Sequence, residues 1–281
     1  MAVVVTTYNR PAALALVLAS LSVQSDMPSQ IVVADDGSGV ETLRQVELWR
    51  DYLQHHHPTT VLSHVWQEDL GFRAASCRNL AVRRTREVGD VKGVIFLDGD
   101  CVAPPYFVKN HAFLLREKTM VAGGRGLLSR PYTDSLEHLA DGGSPREVVG
   151  LLKSFGSPVQ LWLSGACDRF VSMQQIMLTA LAPLRDMRSK NDALVRTCNL
   201  SIRLADFEGV GGFDESFVGW GLEDTDLAVR LIASGVWVRS GRFATNVFHL
   251  WHPERSRAEL QGNASRLALT RDAASARATT D

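Results

Sequence analysis

Along its first 125 residues the chain alternates between short, mostly apolar runs and longer stretches where apolar positions recur every three or four residues. The short runs are Ala2–Thr6, Ile31–Ala34, Val61–Trp66 and Val94–Leu97. Each is too short for a stable helix and ends in polar residues or glycine, so each predicts a strand. Between them, "RPAALALVLASLSVQ" predicts a helix with Pro11 in its first turn, and residues 40–56 and 72–87 predict two more. A helix near 105–117 and a short strand at Met120–Ala122 complete this half. Apolar strands separated by amphipathic helices predict a parallel α/β sheet buried on both faces.

From about 126 to 195 the spacing loosens. "SRPYTDSLEHLADGGSPREVVGLLKSFGSP" mixes short helical pieces with Gly, Pro and Ser, and residues 170–185 read as a helix. Order returns at "VRTCNLSIR", a strand, followed by the turn "GVGGFDE". A helix over about 222–234 and strands around 236–239 and 243–249 follow. The tail after Glu254 has helical stretches and a frayed end at "ASARATTD". The chain divides accordingly into residues 1–125, 126–255 and 256–281.

Open parallel sheets bind ligands beyond the carboxyl ends of their strands. Here "TTYNR" follows the first strand, "DDGS" the second and "DGD" the fourth. Three polar clusters therefore converge on one rim, which locates a site from topology.

Composition narrows the class. Among 281 residues 45% are hydrophobic and 22% charged, the balance of an ordinary globular protein, and the formal net charge of −1 gives no electrostatic case for nucleic acid. No run approaches the ~20 apolar residues that span a bilayer. The N-terminal segment lacks the basic and long apolar regions of a signal peptide. The expectation is a cytoplasmic protein, or one lying against the inner face of a membrane without crossing it. Four cysteines (Cys77, Cys101, Cys167 and Cys198) are widely spaced and read as separate reduced thiols. The sequons at Asn199 and Asn263 read as chance.

Three constellations carry candidate chemistry. Asp98-Gly99-Asp100 is either an acidic turn or half of a site for a hard divalent ion, which prefers carboxylate oxygens and leaves positions open for phosphates. In "VGWGLEDTDLAVRLIASG", Glu223, Asp224 and Asp226 open a helix whose apolar face is Leu227, Leu231 and Ile232. Acidic residues there stabilise the helix dipole by about 0.3–1 kcal/mol each. The preceding Gly219-Trp220-Gly221 is no capping signal, and a flat indole beside carboxylates suits a sugar ring. A carboxylate there can act as general base on a hydroxyl. In "NVFHLWHPE", His249 and His252 are candidate metal ligands. If that segment is a strand, the two point to opposite faces and only one reaches the site.

In order and spacing, "VVVTTYNRPAAL", "IVVADDGS", "GFRAASCRNLAV", "FLDGDCV" and "GGFDESFVGWGLEDTDLAVRL" together resemble the family 2 glycosyltransferases of GT-A fold. The last block, with "FHLWHP", also resembles the C-terminal half shared by β-1,4-galactosyltransferases and bacterial chondroitin-type polymerases. The resemblance covers roughly residues 1–125 and 195–255. It implies a Rossmann-like, mostly parallel sheet flanked by helices, with a smaller acceptor-side subdomain. It implies that Thr7, Tyr8 and Arg10, with Asp35 and Asp36, bind the nucleoside of a sugar nucleotide, usually uridine, and that Asp36 reaches the base. Arg73 and Arg78 lie where the family places basic residues near the nucleotide, whereas Arg83, Arg84 and Arg86 read as a solvated face. Asp98 is placed near the ribose or metal, Asp100 on a Mn²⁺ or Mg²⁺ ion, and His249 as a second ligand, with His252 as the fallback. Asp224, or else Glu223, becomes the base that deprotonates an acceptor hydroxyl beside Trp220 and Gly221.

The implied activity is metal-dependent, inverting transfer of a sugar from a nucleotide sugar to a glycan or lipid-linked acceptor, in cell-surface polysaccharide synthesis. Two alternatives stand beside it. A nucleotidyltransferase usually carries a Gly-rich phosphate loop after the first strand, and "TTYNRP" is not Gly-rich. A non-catalytic glycan-binding module does not need Asp100, His249 and Asp224 together.

Overall fold

The computed structural model describes residues 1–169, 189–253 and 258–278. The first half follows the sequence pattern closely. β1 (Ala2–Thr7), α1 (Pro11–Ser22), β2 (Gln30–Asp35), α2 (Val40–His56), β3 (Val61–Trp66), α3 (Ala74–Val88) and β4 (Gly93–Asp98) succeed one another. β1, β2 and β4 are apolar because helices cover both faces of the sheet. α1 packs on one side, where Leu14, Val17, Leu18 and Leu21 join Val3, Val5 and Ile95 in a fully buried cluster. On the other, Cys77 and Ala81 of α3 meet Val4, Val32 and Phe96.

After the short β5 (Cys101–Val102) come α4 (Phe107–Leu114), β6 (Thr119–Ala122), β7 (Arg125–Leu127) and three helices, α5 (Arg130–Ala140), α6 (Pro145–Lys153) and α7 (Pro158–Leu163). α6 and α7 each start with Ser-Pro and a complete capping box, Ser144 with Glu147 and Ser157 with Gln160. The helix expected over 170–185 lies outside the described residues. β8 (Asn199–Arg203), α8 (Leu204–Gly209), α9 (Glu223–Ala233), β9 (Trp237–Ser240), β10 (Val247–His249) and α10 (Leu260–Ala278) complete the chain.

Seven strands form the central sheet in the order β3-β2-β1-β4-β8-β6-β9. It is mostly parallel, with β8 antiparallel to both β4 and β6. Strands from beyond residue 195 thus enter the same sheet as the N-terminal strands. A second sheet has the order β5-β10-β7, with β5 and β7 following β4 and β6 of the first directly in the chain.

Two expectations change. The strand expected over 243–249 is only Val247–His249, because Gly241–Thr245 turns back on itself with Ala244 N and Thr245 N donating to the Gly241 carbonyl. Of the end expected to fray, residues 274–278 are helical, and 279–281 lie outside the described residues. All four cysteines are free, and both sequon asparagines are buried. Among the described residues no helix is long and apolar enough to cross a membrane.

Candidate active site

The carboxyl ends of β1, β2 and β4 lie side by side, with Thr7 paired to Asp35 and Thr6 to Asp98. The three polar clusters therefore do converge. A cleft of about 770 Å³ opens there, lined by Thr7, Tyr8, Asp36, Asp98 and Asp100 from the strand ends. Trp220 to Asp224, His249, Trp251 and His252, from the later part of the chain, also line it. Gly99 is required between the two aspartates, since a Cβ there would meet the Thr6 carbonyl to which its own N–H donates at 2.7 Å.

The mutual repulsion of Asp98 and Asp100 is relieved by two separate arginines. Arg78 donates to Asp98 Oδ1 at 3.1 Å and to Glu223 Oε1 at 3.0 Å, and its Nε reaches Thr6 Oγ1 at 3.1 Å. Burial works to lower the pKa of Arg78, but the adjacent Asp98 and Glu223 charges prevail and raise it. Arg10 donates to Asp100 Oδ2 at 3.0 Å, while its second arm donates to Glu137 Oε1 at 2.6 Å and to the Trp251 carbonyl.

His249 Nε2 lies 3.6 Å from Asp100 Oδ1, and His252 Nε2 lies 3.6 Å from Asp100 Oδ2. The expectation that strand alternation would send one imidazole away is corrected, because β10 ends at His249 and His252 lies beyond its pleat. Leu250 N–H donates to the Asp100 carbonyl at 2.8 Å, which pins this turn over the acidic pair. Ligand atoms of Asp100, Cys101 and His249 lie within 4.8 Å of one another. Burial lowers the pKa of His249 despite the nearby Asp100, so its ring is neutral and can ligate at pH 7. The Asp100 carboxylate and the His249 imidazole, with a second imidazole from His252 at the carboxylate's other oxygen, form a donor set that fits a divalent ion.

Across the cleft, Glu223 and Asp224 open α9. Burial raises the pKa of both carboxyls; Asp224 adds to the shift at Glu223, while Arg196 and Arg78 oppose it at Asp224. Asp224 Oδ1 accepts from Thr225 N at 2.7 Å. Trp220 is 40% exposed at the cleft edge.

The adjacent aspartates after β2 part ways. Asp36 lines the cleft and accepts from Gln67 Nε2 at 2.6 Å and Arg73 N at 2.8 Å. Asp35 lies outside the cleft lining, 1% exposed, bonded to Ser38 N at 2.8 Å and His64 Nε2 at 3.0 Å. Tyr8 lines the cleft and donates to Asp69 Oδ2 at 2.8 Å. Arg73 turns its guanidinium to the Glu68 carbonyl and is not part of the lining. Arg84 and Arg86 make surface pairs with Glu87 and Glu208, and Arg83 with Glu215.

Sequence reasoning missed Glu137, Arg125, Arg196 and Trp251. The last three line the cleft, and Glu137 anchors Arg10. Arg125 and Glu137 sit in segments with no motif, so only the tertiary arrangement reveals them. Trp251 lay in plain view between the two histidines.

Residues 2–137 match the family model for glycosyl transferase family 2, and residues 181–253 match one described as the N-terminal domain of galactosyltransferase. The chain belongs to glycosyl transferase family 2. This family 2 chain is 32% identical over 242 residues to validoxylamine A glucosyltransferase of Streptomyces hygroscopicus subsp. limoneus, covering 84% of the chain and 48% of that protein. It is 28% identical over 255 residues to chondroitin synthase of Escherichia coli, covering 85% of the chain and 33% of that protein. The chain thus spans about half the length, or less, of the curated relatives it matches. A mannosyltransferase from Pyrobaculum calidifontis, solved in complex with GDP-Man and Mn²⁺, shares the fold at a TM-score of 0.56 and 17% identity, over 98% of this chain and 64% of that one. The mixed sheet and its flanking helices are those of the GT-A glycosyltransferases.

Proposed function

We propose that this family 2 chain transfers a sugar, with inversion, from a uridine diphosphate sugar to a hydroxyl of a glycan or lipid-linked glycan, and that the transfer depends on Mn²⁺ or Mg²⁺. The observation that carries this reading is the meeting of Asp100, His249 and His252 in a cleft that Asp224 and Trp220 also line. Asp100, His249 and His252 hold the divalent ion. When bound, that ion supplies a Lewis acid for the charge gathering on the departing diphosphate.

The chain's own groups do the rest. Asp36, held by Gln67 and Arg73, binds the uracil, and Thr7 and Tyr8 line the nucleoside wall. Asp98, fixed by Arg78, faces the ribose. Asp224 takes the proton of the acceptor hydroxyl as its oxygen bonds to the anomeric carbon and the bond from that carbon to the phosphate oxygen breaks. Burial favours the protonated carboxyl, which suits a group that must accept a proton. Trp220 forms the acceptor wall. The names of the relatives, glucosyltransferase and chondroitin synthase, support a hexosyl donor and a glycan acceptor. The reading places the enzyme in the cytoplasm, against the inner membrane face where the acceptor is lipid-linked, in surface-polysaccharide synthesis.

The test is metal-dependent release of nucleoside diphosphate from a panel of sugar nucleotides, with saccharide acceptors and with water. Release from one donor that stops with EDTA supports the reading. Binding without turnover of any donor supports a glycan-binding module instead.

A further inference from the structure

The helix α10 lies beyond both family-model matches, which end at residues 137 and 253. It nevertheless reaches the cleft, where Leu260 forms part of the lining. One turn further on, Asn263 is fully buried, and its side-chain amide donates to the Val218 carbonyl at 3.1 Å and to the Gly221 carbonyl at 3.0 Å. Those two carbonyls bracket Gly219-Trp220. The Asn263 Oδ1 atom is buried with no partner among the described residues, so both hydrogen bonds of this side chain end on the Trp220 loop. Keeping a buried amide oxygen unsatisfied is unfavourable, which makes the two donated bonds the reason for an asparagine at this position.

The loop has a backbone that needs holding. Gly219, Gly221 and Leu222 have φ of 75°, 105° and 76°, and Leu222 adopts this left-handed conformation without the freedom of glycine. Glu259 covers the place where a Cβ on Gly219 would stand, and Leu260 packs over Gly221. Further along the helix, Leu267 packs in a cluster with Phe217, Val229 and the loop residue Leu222, whereas Thr270 Oγ1 donates to Asp226 Oδ1 of α9 at 2.7 Å. The Thr270 bond docks the helix without touching the loop, so docking and latching can be separated there.

We propose that Asn263 is a positioning residue: its two hydrogen bonds hold the strained 218–222 loop so that Trp220 stands on the cleft wall, which makes acceptor binding depend on the C-terminal helix. The kinetic part rests on the reading of Trp220 as acceptor wall; the structural part does not.

The test uses the full chain with Asn263→Ala, Asn263→Asp and Thr270→Val. The aspartate keeps the shape but turns a carboxylate toward two carbonyl oxygens. Trp220 is followed by fluorine NMR after 5-fluorotryptophan incorporation, its signal assigned with Trp220→Phe. In both Asn263 variants the Trp220 signal shifts or splits, and the acceptor KM rises about tenfold, the effect of losing roughly one net hydrogen bond. The donor KM changes less than the acceptor KM, because Asn263 itself bonds only to the loop. Thr270→Val lowers Tm but leaves the Trp220 signal and acceptor KM at the wild-type values. Asn263→Ser, which keeps one donor, gives an intermediate shift and serves if the alanine chain does not fold. An unchanged Trp220 signal in the Asn263 variants overturns the proposal, as does an equal change in Thr270→Val. If wild-type protein turns over no donor, the transferase reading fails while the NMR arm still decides on the latch.

Discussion

Arg78 and Glu223 are 145 positions apart in the chain and meet at 3.0 Å, with the same guanidinium also holding Asp98. This contact ties the strand ends at the cleft to the first turn of α9. The Arg78 side chain is 4% exposed and that of Glu223 10%. Removing one partner of a buried pair leaves an uncompensated charge, so Arg78→Ala should cost about 3–5 kcal/mol in denaturant unfolding at pH 7. Adding Glu223→Gln to that variant should restore part of the loss, because the orphaned charge goes. A loss under about 1 kcal/mol for Arg78→Ala would sink the assignment.

Asp35 and Asp36 should separate cleanly into structure and binding. Asp35→Ala leaves Ser38 N and His64 without their partner and should cost about 1–3 kcal/mol of stability. Asp36→Ala should instead weaken uridine diphosphate binding by about tenfold or more in calorimetry. A reversed pattern, with donor binding lost in Asp35→Ala and retained in Asp36→Ala, would assign the base contact to the wrong aspartate.

Asp224 links activity to pH and stability. Burial raises its carboxyl above the ordinary value, so the folded state binds its proton more readily than the unfolded chain does. The stabilising contribution of such a group is complete below its unfolded pKa and is lost as pH rises through its folded pKa. Asparagine carries no such penalty, and it also relieves Glu223, whose own upward shift comes from burial and then from Asp224. Asp224→Asn should therefore melt close to wild type at acid pH and a few degrees above it at pH 8, while transfer falls by about 10²–10⁴. A lower Tm at pH 8, or full activity, contradicts the base role.

The proposed metal ligands are tested by Mn²⁺ titration calorimetry. Asp100→Ala should abolish measurable binding, and His249→Ala and His252→Ala should each weaken it by about tenfold or more. An affinity unchanged in His252→Ala would leave Asp100 and His249 as the protein ligands and return His252 to a bystander.

Much of this is legible in the sequence. β1 to β4 were readable because a strand buried on both faces must be apolar throughout, and α2 emerged at Val40–His56 as its spacing predicted. The segment 126–163 was not, since its short capped helices pack partly by contacts with α1, and their apolar residues show no long period. The histidine pair was misjudged for a related reason. Strand alternation is a local rule, and it fails where a strand stops, which Leu250 bonding to the Asp100 carbonyl decides from across the fold.

By itself the sequence determined the alternating elements, the rim where polar clusters meet and the residue types available for chemistry, because burial and backbone preference act residue by residue. Only the tertiary structure decided which charge faces which. That Arg78 serves Asp98 and Glu223, that Arg10 serves Asp100 and Glu137, and that Asn263 latches the Trp220 loop depend on contacts between distant segments. A charged or polar side chain finds its partner by proximity in the fold, and sequence spacing carries no record of that proximity.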